Sequence, residues 1–444
     1  MSKLILMNVG TVHLLDADIS SPRPLAMSVW RNVWFVERGD ILVTPVPLGD
    51  DFLRYVGETL GIDIETVAVI CTGRLLSEEL LSSTAFADDL CVAVRSRAID
   101  RIDSCFNTAG VAALAERLGI RRTADSRFAA QCGADLLNRK SHFRRLAAGA
   151  GIPIAAGGIA HTSTELARLL ENSLVPTGCA IVKRDDAAGG MGNITVTRGA
   201  PRALPGTRDT VHAGDDLGAL SRSLWERLTD ASSNEVVVES YLESSHIFYF
   251  EYFIEDDGCI SFANSGNVRF EPSADSSAME LDWIGLDIPA ILPCAGMAEA
   301  LTLSARLAAA AAQIGYRGPI NIDAIRTAAG DIVFNETNAR WGGGSVMHAL
   351  GERIVGKRYA DSRVVSSVRG VAAPKLRKAI DILRDEGLLF NPATKAGVVV
   401  LACPEDDAHE LECVVVDTSI AEARKVESRV RAALSGAGAD RSPA

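Results

Sequence analysis

The stretch GPINIDAIRTAAGDIVFNETNARWGGGS, from Gly318 to Ser345, decides how this chain is interpreted. Residues 320–326 and 332–338 alternate apolar and polar side chains, as the two strands of an antiparallel hairpin do. Ala329-Gly330 lies between them and is typical of a turn. The segment therefore predicts a β-hairpin followed by a glycine-rich turn.

The hairpin carries two acids and an amide at fixed spacing. A turn with an even number of residues places Asp323 opposite Glu336, and Asn338 then shares their face. Two carboxylates about 5 Å apart repel each other unless a cation lies between them, and their oxygens suit Mg²⁺ bound together with a phosphate substrate. A solvated hairpin with acids on its wet face is the alternative. The arginine and glycines that follow, Arg340 and Gly342–Gly344, favour the cation site.

Composition restricts the classes of protein to consider. The 444 residues are 48% hydrophobic and 23% charged, which predicts a soluble chain of several domains. A net charge of -12 argues against wrapping nucleic acid but permits a small anion in a locally positive cleft. No signal peptide and no membrane-spanning run is recognisable, and the nine cysteines show no CxxC pair. These features predict a cytoplasmic protein with reduced thiols, without a nucleic-acid or membrane partner.

The order of apolar runs and helical segments predicts a multidomain chain of α/β and α+β class. Residues 1–122 alternate short strands with helices and form an N-terminal α/β domain; residues 123–370 form a two-lobed core. Residues 371–436 form a small C-terminal α+β unit, and residues 437–444 a tail. The polar segment Gly199–Asp216 is predicted to be a mobile loop.

The spacing D-x12-E-x-N, followed by an arginine and glycines, resembles the magnesium-binding hairpin of ATP-grasp ligases. The resemblance implies that Asp323, Glu336 and Asn338 bind two Mg²⁺ ions that bridge the β- and γ-phosphates of ATP. It also implies a preceding domain before the core, which the N-terminal α/β unit would provide.

The resemblance extends upstream to two lysines. Lys140 precedes a Gly-Ile-Pro segment by one helix, as the first nucleotide-binding lysine of the family does, although Arg139 stands where many members have Asp. Lys183 ends a strand before a glycine-rich turn and corresponds to the lysine that neutralises the α- and β-phosphates. The turn would cover the γ-phosphate with backbone amides, those of Gly189, Gly190, Met191 and Gly192.

The segment VVVESYL, residues 236–242, resembles the adenine hinge of the family. The resemblance implies that the carbonyl of Glu239 and the amide of Tyr241 or Leu242 hydrogen-bond adenine. His246 stands where the family has a polar contact to ribose; the alternative is a packing role among the neighbouring aromatic residues.

ATP-grasp ligases phosphorylate a carboxylate and let an amine attack the acylphosphate, so the residues beyond the metal hairpin are candidates for that chemistry. Arg340 would stabilise the acylphosphate, and the segment Gly342, Gly343, Gly344 and Ser345 would bind the substrate carboxylate or the departing phosphate. Arg269 is a second catalytic candidate; a structural ion pair with Glu271 or another acid is its alternative.

The whole layout resembles the ATP-grasp group typified by the pheganomycin peptide ligase. This resemblance implies that a small acid, non-proteinogenic or of guanidinoacetic type, is joined to the amino group of a peptide in antibiotic biosynthesis. It leaves a homodimer open.

Two alternatives remain at this stage. One is another ATP-grasp ligase, such as an amino-acid dipeptide ligase, whereas a carboxylase is disfavoured because no carrier domain is recognisable. The other is a non-catalytic nucleotide-binding protein, against which the complete set of motif residues argues.

Overall fold

The N-terminal segment forms the parallel sheet that its alternating strands and helices predict. The computed structural model describes residues 2–9, 22–122, 126–187, 190, 192–200, 204–207, 209–272, 281–403 and 410–438. Among these residues, no helix is both long and apolar enough to cross a membrane. The predicted tail from residue 439 onward lies outside the described residues.

The first domain is a five-stranded sheet in the order β3-β2-β1-β4-β5, with every neighbouring pair parallel. Both of its faces are covered by helices, which explains why all four residues of β1 and of β2 are buried. The elements are β1 (Lys3–Leu6), α1 (Pro22–Asn32), β2 (Ile41–Thr44), α2 (Asp50–Leu60), β3 (Ala68–Cys71), α3 (Glu78–Leu81), α4 (Thr84–Ser96), β4 (Arg101–Ser104), α5 (Ala109–Leu118) and β5 (Arg121–Arg122).

The next lobe is a second five-stranded sheet, in the order β6-β10-β7-β8-β9. The chain from residue 126 to residue 240 comprises α6 (Ser126–Ala130), α7 (Gly133–Asn138), α8 (Lys140–Gly149), β6 (Gly157–Ala160), α9 (Ser163–Leu174), β7 (Cys179–Arg184), β8 (Asn193–Thr197), β9 (Asp209–His212), α10 (Leu217–Leu228) and β10 (Val236–Ser240). Of these helices, α9 and α10 pack on this sheet. On one face, Val182 and Val238 pack with leucines of α9 and α10. Because side chains alternate along a strand, Lys183 and Glu239 lie on the other face.

The segment Gly199–Asp216 is more ordered than the sequence predicts. Within it, β9 pairs with β8 in parallel, and Leu204 is buried against Ile181 and Tyr241. The prediction of a mobile loop is therefore wrong for the described part of this segment, since the polar run contains a paired strand and a buried leucine.

The remaining residues build one eight-stranded sheet in the order β15-β14-β11-β12-β13-β16-β18-β17. Its elements are β11 (Ser244–Ile254), β12 (Ile260–Pro272), β13 (Leu281–Ile288), α11 (Cys294–Gln313), β14 (Gly318–Thr327), β15 (Ile332–Asn338), α12 (Gly343–Ile354), β16 (Val364–Ala372), α13 (Leu376–Asp385), β17 (Gly397–Ala402), β18 (Glu410–Asp417) and α14 (Ile420–Gly438). One face of β11 and β14 packs against α11 through residues such as Phe248, Phe250 and Ile322. The opposite face therefore carries Tyr249 and Asp323.

The predicted C-terminal unit does not have a sheet of its own. Strand β18 pairs with β16, and β17 pairs with β18, so both extend the sheet that also contains the predicted metal hairpin. The boundary at residue 371 stays a prediction, but the hydrogen bonding across it is continuous.

Arg269 has a structural role in this sheet. Its guanidinium donates to the carbonyl of Ser367 at 3.0 Å and to a carboxylate oxygen of Glu427, on α14, at 2.8 Å. Both side chains of this ion pair are about nine-tenths buried. These contacts tie β12 to β16 and α14 and favour the structural alternative, whereas the catalytic role stays a prediction. The partner is Glu427, not Glu271.

Replacing this arginine tests the assignment. We expect Arg269→Met to lower the free energy of unfolding by about 2 kcal/mol, because a buried carboxylate loses a charge-assisted hydrogen bond. Urea denaturation measures the change. Arg431→Met is a matched control, since Arg431 contacts the same carboxylate at 3.3 Å but is more exposed, and we expect a smaller loss. Equal losses would contradict the special role of Arg269.

Candidate active site

The hairpin of β14 and β15 pairs Asp323 directly with Glu336, so the predicted register is confirmed. The ladder is irregular immediately after Asp323, where one extra residue of β15 is accommodated. The side-chain amide of Asn338 donates to Asp323 Oδ2 at 2.8 Å. The two acids and the amide thus form one cluster on the face opposite α11.

The pKa values of the two acids in this cluster are shifted in opposite directions. Burial, followed by the negative charge of Glu336, raises the pKa of Asp323 well above its usual range. Burial also opposes ionisation of Glu336, but Lys140, Lys183 and Arg340 outweigh it and hold the pKa of Glu336 below its usual value. Burial and the charge of Glu336 thus oppose ionisation of Asp323, and a cation between the two acids would favour it.

The donor set fits Mg²⁺, a hard cation that prefers oxygen ligands and keeps open positions for substrate phosphates. Two carboxylates and an amide oxygen are available from Asp323, Glu336 and Asn338. In the described part of the chain, no group of three or more His, Cys, Asp and Glu residues is arranged for a metal. Any ion at this hairpin would accordingly depend on further oxygens from a substrate or water.

Lys140 reaches the hairpin from the start of α8. It is the first residue of α8, is only 4% exposed, and its Nζ lies 3.4 Å from Glu336 Oε2. Asp185 fixes this helix end, because its carboxylate accepts from the Ser141 amide at 2.7 Å and its carbonyl from the Lys140 amide at 3.0 Å. Arg139, where the family often has Asp, lies 3.4 Å from the same carboxylate.

Lys183 is held on the polar face of β7 by a buried acid. Its Nζ lies 2.5 Å from Glu239 Oε2, and the guanidinium of Arg144 lies 2.5 Å from Glu239 Oε1. Arg144 also donates to the carbonyl of Ala155 at 3.1 Å. The sequence analysis missed Arg144, although it follows Lys140 by four residues and so shares its side of α8.

The hinge differs from the expected pattern. The amide of Tyr241 donates to the carbonyl of Cys179 at 2.9 Å, and that of Ser240 to Ala156 at 2.8 Å. Since backbone groups along a strand alternate between neighbours, the backbone of Glu239 faces Ile181 on β7. The Tyr241 amide is therefore already bonded within the sheet, and the adenine contact of the Glu239 carbonyl stays a prediction. Leu242 remains the candidate amide.

Two apolar groups flank this hinge. One contains Cys179, Ile181, Leu204 and Tyr241. The other contains Ala155, Ile325 and Val333, with Leu242 and Ile247 packed against them. Apart from Tyr241 and Leu242, the sequence analysis did not single out these residues as site residues, because apolar residues in strands carry no signal that separates a ligand slot from a core. Together they offer two apolar surfaces of the kind between which a planar base packs.

His246 does not face the carboxylates. It pairs with Arg326, and alternation places it with Phe248 on the side of α11, opposite Tyr249 and Asp323. Its Nδ1 lies 3.1 Å from the Ser245 hydroxyl. This placement favours the alternative of a packing role, and the ribose contact stays a prediction.

The turn after Lys183 is described only in part, because Gly189 and Met191 lie outside the described residues. Gly190 has a positive φ of 75°, and its carbonyl accepts from the Asn193 amide at 3.0 Å. A Cβ at Gly192 would come within 2.6 Å of the Arg184 Cβ. Both positions therefore require glycine for a tight turn, and their phosphate contacts stay a prediction.

Arg340 follows the hairpin and contacts the first domain. Its guanidinium donates to Asn138 Oδ1 at 2.7 Å and lies 5.4 Å from the centre of the Phe106 ring. It borders a cavity of about 130 Å³. The cavity is lined by Arg101, Asp103, Ser104, Cys105, Asn107, Phe253, Tyr316, Arg317, Gly318, Pro319, Ala339, Arg340 and Trp341. The cavity thus opens between the end of β4 and the start of β14, with Arg340 in its wall.

The glycine turn begins α12 over the carboxylate face. Gly342 donates its amide to the Ser345 hydroxyl at 2.8 Å, and that hydroxyl in turn donates to Glu251. The Gly342 amide and the Ser345 hydroxyl thus already have partners within the protein, and the substrate contacts of this segment stay a prediction. The amides of Gly343 and Gly344 belong to the first helical turn, whose N–H groups have no partner within a helix.

Glu251 is a functional candidate that the sequence could not separate from ordinary acids. Its side chain is 2% exposed and accepts from Asn264 Nδ2 at 2.8 Å as well as from Ser345. Burial raises the pKa of Glu251 to about 7, although hydrogen bonds from Ser345 and Asn264 oppose the shift.

This shift predicts a pH-dependent stability. The folded pKa lies above the unfolded value, so the native state binds the extra proton and loses stability as pH rises from about 4.5 to about 7. We expect Glu251→Gln to remove that part of the dependence, which amounts to up to about 3 kcal/mol. Melting temperatures of both proteins between pH 4.5 and 8 measure it. Parallel pH curves would contradict the assignment.

Comparisons with known proteins agree with this architecture. Residues 29–120 match the family model described as the pre-ATP-grasp domain, and residues 378–430 match the model described as the PGM1 C-terminal domain. A comparison with curated proteins finds no match.

Solved structures match over almost the whole chain. An N5-carboxyaminoimidazole ribonucleotide synthetase, solved as its ADP complex, is 11% identical with a TM-score of 0.58, covering 97% of this chain and 96% of that one. A biotin carboxylase from Campylobacter jejuni is 15% identical with a TM-score of 0.58, covering 98% and 92%. An L-amino acid ligase from Bacillus licheniformis is 13% identical with a TM-score of 0.55, covering 98% of both chains.

Likeness at this level of identity shows the fold. The chain has the multidomain ATP-grasp fold, and its residues 29–120 form a pre-ATP-grasp domain.

Proposed function

We propose that this chain is an ATP-dependent, ADP-forming ligase that joins a small carboxylic acid to an amine. The observation that carries the proposal is the convergence of Lys140, Lys183 and Arg340 on the paired acids Asp323 and Glu336. Three cations around two carboxylates suit a polyanionic nucleotide whose phosphates are bound through a metal.

In the proposed reaction, a carboxylate oxygen of the acid attacks the γ-phosphorus of ATP, and the bond to the β-phosphate oxygen breaks to release ADP. The amine nitrogen then attacks the carbonyl carbon, and inorganic phosphate leaves as the amide forms. The ammonium proton lost on attack passes to the departing phosphate or to water. The chain contributes positioning and charge stabilisation at both steps.

Each cation has a separate task. Lys183, fixed by Glu239, neutralises the α- and β-phosphates, and Lys140 lies between the nucleotide and Glu336. Mg²⁺ at Asp323, Glu336 and Asn338 would supply charge neutralisation for the phosphate oxygens. When the nucleotide binds, Lys140 and Lys183 exchange their ion pairs with Glu336 and Glu239 for contacts with the phosphates.

Arg340 is placed to stabilise the acylphosphate and the oxyanion of the second step. It borders both the hairpin and the cavity of about 130 Å³. Arg101 and Arg317 make this cavity suitable for a carboxylate, and Asp103, which is ion-paired with Lys3 and Arg101, adds an acidic group for an ammonium or guanidinium end. The cavity therefore suits a small acid, whereas a peptide would have to approach from outside it.

For the finer assignment, we infer that the acid is a non-proteinogenic amino acid or of guanidinoacetic type and that the acceptor is the amino terminus of a peptide. The resemblance of residues 334–345 to the pheganomycin-type group supports this inference, as does the match of residues 378–430. An amino-acid dipeptide ligase is the second candidate, because the structure of the L-amino acid ligase matches this chain over 98% of its length.

The test is a screen of ADP release by the full chain with MgATP, a panel of small acids, and peptides or free amino acids as acceptors. We expect ADP release that requires the acid, a hydroxamate when hydroxylamine replaces the amine, and a product whose mass is the sum of both substrates minus water. Products from free amino acids alone would favour the dipeptide ligase. Tight ATP binding without ADP or hydroxamate for any pair would contradict ligation.

The metal assignment predicts the effect of Glu336→Gln. We expect ADP formation to fall by more than about 100-fold, because a charged ligand is lost from the cation site. Asp331→Asn is the matched control, since Asp331 is an exposed acid at the turn of the same hairpin. Undiminished turnover in Glu336→Gln, with a normal melting temperature, would refute the assignment.

The phosphate assignment predicts that Lys183→Met raises the KM for ATP by about 10-fold or more, because a buried charge next to the phosphates is removed. Initial rates at varied ATP and saturating acid measure this. Lys357→Met, at an exposed lysine, serves as the control. An unchanged ATP dependence would remove Lys183 from the phosphate site.

A further inference from the structure

A buried hydrogen-bonded chain runs beneath the glycine turn. Ser345, the third residue of α12, accepts from the Gly342 amide at 2.8 Å and donates to Glu251, which lies in the middle of β11. Asn264 of β12 donates to the other oxygen of Glu251 at 2.8 Å. The turn is therefore bonded to two strands of the sheet below it.

The same chain supports the turn by packing. Tyr249 donates its hydroxyl to Asn264 Oδ1 at 2.9 Å. A Cβ at Gly344 would collide with that hydroxyl, and a Cβ at Gly266 would come within 2.6 Å of the Tyr249 ring. Glycine at both positions lets the tyrosine lie directly between the sheet and the first turn of α12.

The arrangement decides which amides of the turn can meet a substrate. Because the Gly342 amide is held by Ser345, the orientation of this peptide is set from inside the protein. The amides of Gly343 and Gly344 follow it in the first turn, where no carbonyl of the helix accepts from them. Removing the Ser345 hydroxyl would leave the Gly342 amide without this acceptor.

We propose that Glu251, acting through Ser345, is the positioning residue that aims the Gly343 and Gly344 amides at the substrate carboxylate and the departing phosphate. The inference rests on the proposed ligase function and adds two residues that touch no substrate themselves. Glu251 is suited to this task because its two oxygens accept from Ser345 and Asn264 at once. A hydroxyl at 345 is needed because it must accept from one group and donate to another.

The first test compares Ser345→Ala with Ser345→Thr. We expect Ser345→Ala to lower kcat/KM for the acid by about 10- to 100-fold, the loss typical of groups that orient a primary ligand. The dissociation constant of ATP, measured without acid, should stay within about twofold of wild type, because the nucleotide contacts lie on other elements. Ser345→Thr keeps the hydroxyl and should recover most of the activity.

The second test is a double-mutant cycle with Glu251→Gln. If the two residues act as one unit, the double variant Glu251→Gln/Ser345→Ala is no worse than the poorer single variant. Ser366→Ala is the matched control: Ser366 likewise donates to a buried acid, Asp287, at 2.6 Å in the same sheet. It should lower stability without changing the KM for the acid.

A measurement of phosphate binding tests the positioning role independently of whether the chain catalyses ligation. With MgADP present, we expect inorganic phosphate to bind wild type at least about 10-fold more tightly than Ser345→Ala, as titration calorimetry can measure. If wild type forms no product but this difference is found, the ligase proposal fails and the positioning role stands. Equal phosphate affinity, multiplicative losses in the cycle, or the same loss in Ser366→Ala would each overturn the positioning role.

Discussion

Two carboxylates held side by side in a sheet are the constraint around which this protein is organised. The pairing of Asp323 with Glu336 cannot relax, because both are fixed by the hydrogen bonds of β14 and β15. Three positively charged residues from other segments offset the repulsion between the two carboxylates. They are Lys140 of α8, Lys183 of β7 and Arg340 of the segment after β15. The cluster therefore draws together parts of the chain that are far apart in sequence.

Most of these charges are held by buried partners. Glu239 holds Lys183 and Arg144, Asp185 fixes the end of the helix that carries Lys140, and Asn138 holds Arg340. A buried acid beside a buried base keeps the base in one rotamer, which limits the reorganisation needed when a phosphate arrives. Glu251 is also a buried acid that holds a neighbouring group. Its partner is not a cation but the Ser345 hydroxyl, through which it fixes the glycine turn at the start of α12.

The hairpin was predictable because its information is local. Alternation of apolar and polar residues and an even turn determine which side chains of β14 and β15 face each other. The parallel sheet of the first domain was predictable for the same reason. The surroundings of Arg269 and His246 could not be read from the sequence, because they depend on distant segments: Arg269 contacts Glu427, 158 residues away, and His246 lies on the α11 face of its strand.

By itself, the sequence determined the kinds of groups present and their order: two acids and an amide in a hairpin, two lysines upstream, and an arginine with glycines downstream. Periodicity along a strand or helix is enough for that, because it depends on backbone geometry alone. Only the tertiary structure decided which backbone amides are already used by the sheet, which arginine is a structural tie, and that Glu251 lies under the glycine turn. Those outcomes depend on contacts between distant segments, and no local pattern encodes the partner that a buried polar group finds.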